Sequence, residues 1–196
     1  MRGIEAHRRR VAPADITTVH GVPTTSPART WFDLGRALDL PAHVAVGDSV
    51  LRAGTPRDDL ALMVRDGGRQ RGVVQSRAAL SLLDGRARSR PESHLRVAVS
   101  GLRLPFQVNE PVHRDSGGWL AEPDLSLPQA RLALEYQGSE HADVGRMRRD
   151  LTRFADLRGE GWLVLPYGPA EVFRRPWLIA AEVRAAVSTR RPSLLH

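Results

Sequence analysis

Cysteine is absent from the 196-residue chain, which excludes disulfides, thiolate nucleophiles and cysteine-ligated zinc. Lysine is absent as well, so all 29 basic side chains are arginine. A GC-rich genome accounts for such a bias, and the chemical consequence holds whatever its origin. Schiff-base chemistry and a P-loop lysine are excluded, and no lysine can serve as a general base. No long apolar run and no signal peptide is present, so no membrane partner is expected and the expected location is cytoplasmic.

What is present is ordinary for a soluble globular protein: 41% hydrophobic and 26% charged residues. The length suits one large domain or two small ones, with a real core. A formal net charge of +7 favours a polyanionic partner.

The most informative stretch runs from Trp119 to His141. It reads as two strands joined by a tight turn at Pro128-Gln129-Ala130. Leu132, Leu134 and Tyr136 alternate with Ala133, Glu135 and Gln137, so Glu135 and Gln137 share a face. A turn centred between Gln129 and Ala130 sets Asp124 directly opposite Glu135. Opposed residues of an antiparallel pair have Cβ atoms roughly 5 Å apart, and like charges there repel. A divalent cation between the two carboxylates would relieve that repulsion, and hard oxygen ligands select magnesium or manganese. Ordinary surface acids on an exposed sheet face are the plainer alternative.

Upstream, residues 1–25 form a basic N-terminal segment containing Arg8-Arg9-Arg10 and a short strand at Ile16 to Val19. Residues 26–88 read as a small helical module. Ser26 caps its first helix, with Pro27 at the first helical position and Trp31, Leu34 and Leu38 as the apolar stripe. A second helix runs from Pro41 to Arg52, and a third follows Thr55-Pro56 with Leu60 and Val64 buried. A fourth spans Gln70 to Leu83. The basic connector Arg86 to Arg90 leads into a second domain over 89–190. There a helix from Pro91 to Ser100 precedes a strand from Phe106 to Val112 and the central hairpin. Asp143 caps a helix from Val144 to Arg158 with Val144, Met147, Leu151, Phe154 and Leu157 inward. A strand from Gly161 to Tyr167 and a helix from Pro176 to Val187 complete an α/β order.

Pro123-Asp124 followed by Glu135-Tyr136-Gln137 resembles the PD-(D/E)XK nuclease motif, with Gln137 in the usual place of lysine. The continuation is Gly138-Ser139-Glu140-His141, then Arg149-Asp150 and Arg153, then Gly161-Trp162-Leu163-Val164-Leu165. It is similar to the actinobacterial Vsr-like (very-short-patch-repair-like) endonuclease domains of unknown function, over about residues 91–187. The resemblance implies a restriction-endonuclease-like core, a central mixed sheet flanked by helices, preceded here by the small helical module. It implies a magnesium-dependent DNA endonuclease in which Asp124 and Glu135 ligate Mg2+ (or Mn2+) and Gln137 orients water. It further implies Glu92 as an active-site acid, His141 as a general acid/base or phosphate contact, and Arg146, Arg149 and Arg153 as DNA contacts. Asp150 would set the arginine rotamers.

Each role has a plainer counterpart. Ser89 and Glu92 have capping-box spacing, His141 can be a turn residue, and the arginines with Asp150 can be a solvated helix face. Trp162 reads as core. Glutamine can orient water but supplies neither a base nor a positive charge, and losing one preorganised donor typically costs about a hundred- to a thousand-fold in rate. The narrower group's Glu-x-Asp strand end also lacks its aspartate here.

The run from Val22 to Leu34 resembles a segment found in the same actinobacterial proteins, many of which carry an AbiEi-type antitoxin winged helix still earlier. Met1 stands short of that winged helix, so a short form or a misplaced start codon is expected, and its DNA-reading role is not carried over. Two functions follow. One is a DNA endonuclease, favoured by Asp124, Glu135 and Asp150. The other is a catalytically degenerate, DNA-binding or antitoxin-like regulatory module, favoured by Gln137. No residue discriminates DNA from RNA.

Overall fold

The computed structural model describes residues 11–138 and 144–195, residues 144–150 by their backbone alone. Strand β1 (Ile16–Val19) turns through His20 and Gly21 into β2 (Val22–Thr25). Both turn residues have positive φ, 49° and 80°, as a two-residue hairpin requires. β2 is not legible in the sequence because Pro23 stands inside it; an edge position tolerates the missing N–H.

Helix α1 (Pro27–Leu34) starts as expected, with Ser26 Oγ accepting from Arg29 N at 3.2 Å. It ends one turn early, so Leu38 lies outside it. Gly35 follows, so tightly packed that a Cβ there would stand 2.4 Å from Ser76 Oγ. Asp39 caps α2 (Leu40–Arg52) by accepting from Ala42 N at 2.9 Å. Then come α3 (Arg57–Asp66) and α4 (Val73–Leu82), which starts after Gly72 at φ 94° rather than at Gln70. These helices enclose Trp31, Phe32, Val44, Leu60, Val64 and Ala79. Trp31 and His43 stack at 4.8 Å and each bonds the other's carbonyl oxygen, through Trp31 Nε1 and His43 Nε2.

Helix α5 (Arg90–Ser100) packs against α2 on one side and the C-terminal helix on the other. Asp48 of α2 is fully buried and bound to it: Ser93 Oγ donates at 2.7 Å and Arg96 Nη2 at 2.5 Å, while Asp84 N donates at 2.7 Å.

The strand expected over Phe106 to Val112 is two strands, β3 (Gln107–Val108) and β4 (Val112–His113). Asn109, at φ 47°, breaks it. The first arm of the central hairpin is likewise divided at Glu122-Pro123-Asp124 into β5 (Trp119–Ala121) and β6 (Leu125–Leu127). β4 pairs with β5 apart from the main sheet. Pro128–Ala130 forms a 3-10 turn closed by Arg131 at φ 44°, then β7 (Leu132–Tyr136) returns antiparallel to β6. Helix α6 (Val144–Gly159) crosses to β8 (Leu163–Tyr167), parallel to β7. Among the described residues the main sheet has the order β3-β6-β7-β8, mixed as expected. Helix α7 (Pro169–Arg174), unforeseen, precedes α8 (Pro176–Arg190).

The sheet is buried on both faces. Leu125, Leu127, Leu132, Leu134 and Leu165 meet α5 and α8 through Leu95, Val99, Ile179 and Val183. Ala133 and Val164 meet α6 and the β4-β5 pair through Phe154, Leu157, Leu120 and Trp162, which is core. Of the expected α6 stripe, Phe154 and Leu157 are buried and Leu151 is 61% exposed; the side chains of Val144 and Met147 lie outside the described residues. The result is a mixed α/β fold. No helix among the described residues is long and apolar enough to cross a membrane.

Candidate carboxylate and arginine site

Four residues, Pro128 to Arg131, join Leu127 to its partner Leu132, and this turn fixes the register that also pairs Leu125 with Leu134. The ladder ends at Leu125 and Leu134; Asp124 precedes β6, and Glu135 follows Leu134 on the sheet face that α6 covers. Both lie where β6 and β7 end.

The two carboxylates have different surroundings. Glu135 is 2% exposed. Its oxygens meet the guanidinium of Arg153 on α6, with Nη1 at 3.0 Å from Oε1 and Nη2 at 3.1 Å from Oε2. The same guanidinium stands 5.4 Å from the Phe154 ring centroid. Asp124 accepts from Tyr136 N through Oδ2 at 2.8 Å. Burial pushes the Asp124 carboxyl up to about 6, opposed by the Tyr136 N–H and reinforced by the charge of Glu92. Arg88, beyond the previous helix, also acts on Asp124 and pairs with Glu122.

Glu92 is 8% exposed and engaged by its own helix start. Ser89 Oγ donates to Oε1 at 2.8 Å, and Arg88 N and Asn109 Nδ2 donate to Oε2, each at 2.7 Å. These bonds make it a helix-capping acid that lends its field to the site. Gln137 continues the ladder, its N–H donating to Tyr167 O at 2.8 Å. His141, and the side chains of Arg146, Arg149 and Asp150, lie outside the described residues, as do Arg8, Arg9, Arg10 and Asp143.

Asp124 and Glu135 supply carboxylate oxygens of the kind a divalent cation takes, and Arg153 engages Glu135 in this structure. Among the described residues no group of three or more histidine or acidic side chains is arranged to hold a metal. The corner as built pairs a buried acid with a guanidinium and keeps a second acid of high proton affinity beside it.

Several residues of this region carry no signal in the sequence motif. Arg88 and Arg90 read only as connector charge. Phe173 belongs to the unforeseen α7; its ring meets His94 edge-on at 4.9 Å, Tyr136 at 6.3 Å and the Arg90 guanidinium at 5.2 Å. The doublet Phe173-Arg174 before Arg175-Pro176 is the one sequence feature that could have singled it out.

Comparison with known proteins adds the following. Residues 1–85, the span of the β1-β2 hairpin and α1 to α4, match the AbiEi antitoxin C-terminal domain family. The uncharacterized proteins MT2308 and Rv2248 of Mycobacterium tuberculosis are each 35% identical over 185 residues, covering 92% of this chain and 67% of the relative. No solved structure matches. The antitoxin match ends before α5, so the nuclease resemblance of the second half rests on that half's own residues.

Proposed function

The chain belongs to the family of these two mycobacterial proteins, and on that premise we propose that it is a DNA-binding, antitoxin-like regulatory module. The observation that carries this reading is the Arg153–Glu135 pair. A guanidinium already engages the buried acid that the nuclease motif would give to a metal. Gln137 in place of lysine points the same way. The match of residues 1–85 to an antitoxin domain supports the regulatory role, and the +7 net charge supports a nucleic-acid partner through counterion release. The domain division at residues 26–88 and 89–190 belongs to this reading as well. The helical part would carry the antitoxin-like role, and the nuclease-like part would present arginines to the backbone.

A second reading, magnesium-dependent phosphodiester hydrolysis on a Vsr-like PD-(D/E)XK core, is favoured by one observation: the hairpin register that brings Asp124 and Glu135 to the same end of β6 and β7. Under it, the two carboxylates would hold Mg2+ or Mn2+, Arg153 would have to release Glu135, and Arg146 and Arg149 would contact phosphate.

One pair of measurements separates the two. Binding of labelled DNA across a salt series should show a steep loss of affinity with salt. Supercoiled plasmid incubated with magnesium, manganese or chelator should stay intact. Nicking that requires the metal would replace the regulatory reading with the hydrolytic one.

A further inference from the structure

Phe173 is a large aromatic left 39% exposed while its neighbour Val172 takes the core position of α7. It is nevertheless fixed. His94, itself 6% exposed and held through Nδ1 to the Arg90 carbonyl at 2.9 Å, meets the ring edge-on. Tyr136 meets it from β7, and the Arg90 guanidinium lies over the ring at 5.2 Å from the centroid. Tyr136 also joins the ring to the carboxylate corner, because its backbone N–H is the donor to Asp124.

Arginine and aromatic side chains alternate along this surface. Phe173 and Arg174 on α7 and Trp177 at the start of α8 are exposed, as is Arg90 on α5, and Arg175 between the two helices is exposed while pairing with Glu171 at 2.8 Å. Exposed rings held rigid beside guanidinium groups are the combination that unpaired nucleic acid requires. Bases stack on the π-face and phosphates meet the charges. A duplex offers no such partner except at its ends, because its bases are already stacked and paired.

We propose that Phe173, with Arg90 over its ring, is a base-stacking platform for an unpaired strand of DNA or RNA where α7 meets α5. The platform rests on the reading of the chain as a nucleic-acid binder and specifies which strand form it takes. The strand's bases stack on Phe173 and its backbone follows the exposed arginines.

The test is fluorescence anisotropy of the full chain with labelled oligothymidine, oligouridine and a blunt duplex, all in chelator. Phe173→Ala should weaken oligonucleotide binding about 5- to 150-fold and leave duplex binding within about twofold. Phe173→Trp should restore it, and Phe173→Leu, which keeps apolar contact but no π-face, should not. Thermal melting confirms that each variant is folded. Equal oligonucleotide binding by Phe173→Ala, or full rescue by leucine, overturns the platform. Wild type that binds only duplex overturns the platform and leaves the nucleic-acid reading standing, whereas wild type that binds neither overturns both. A concentration-dependent dimer that Phe173→Ala dissolves, with oligonucleotide binding unchanged, gives the surface to a second copy instead.

Discussion

The guanidinium of Arg153 closes on both oxygens of Glu135, at 3.0 and 3.1 Å, yet the two side chains are unequally buried, 27% and 3% exposed. That inequality gives the pair a direction. Arg153→Ala takes the guanidinium from a carboxylate held inside the fold, whereas Glu135→Ala leaves a cation that can turn to water. Breaking a buried pair from one side costs several kcal/mol, tempered here by the exposure of Arg153. The expectation is about 2–4 kcal/mol for Arg153→Ala and about 1–2 for Glu135→Ala. Urea unfolding at neutral pH measures both, and the reverse order would contradict the pairing.

Asp124 sets a pH dependence. Its carboxyl is raised by burial from 3.8 to about 6, so between those values the folded chain binds more protons than the unfolded one. Stability from this group therefore falls as pH rises from about 4 to about 6, by at most about 3 kcal/mol. Asp124→Asn cannot titrate and should flatten that part of the profile, remaining at least as stable as wild type at pH 7. A variant with an unchanged slope between pH 4 and 6 would remove Asp124 as the source.

Asp48 and Arg96 tie the antitoxin-like half to α5, with side chains 1% and 13% exposed. Arg96→Met keeps apolar bulk but leaves the Asp48 carboxylate to Ser93 and the Asp84 N–H. A loss of about 3–5 kcal/mol is expected. Because α5 packs on both α2 and α8, wild type should melt in one transition seen alike by tryptophan fluorescence and circular dichroism. Two separated transitions would show that the bridge does not couple the halves.

Gln137→Lys supplies the charge that the nuclease motif lacks. With Arg153 still on Glu135, neither wild type nor this variant should nick plasmid in magnesium. Metal-dependent nicking by the variant alone would mean that only the missing positive charge silenced the corner, and the hydrolytic reading would then stand.

Local chemistry made much of this chain legible. Ser26 before Pro27 starts α1, the turn at Pro128 to Ala130 fixes register, and strict alternation puts Glu135 on the face opposite Leu134. Each is a short-range constraint on φ, ψ or strand parity. The breaks at Asn109 and at Glu122-Pro123-Asp124 were less legible, because the residues on either side of each break pair in different sheets and no local pattern gives notice of that.

The sequence by itself determined the hairpin register, because the four residues between Leu127 and Leu132 leave one pairing that buries Leu125, Leu127, Leu132 and Leu134 together and sets Asp124 and Glu135 at the same end of the hairpin. Tertiary structure alone decided what those acids meet. The packing of α6 on the sheet brings Arg153 onto Glu135, and the packing of α5 and α7 gathers Arg90, His94 and Phe173. Those contacts join residues far apart in the chain, and they depend on how whole elements stack, which no local pattern of residues encodes.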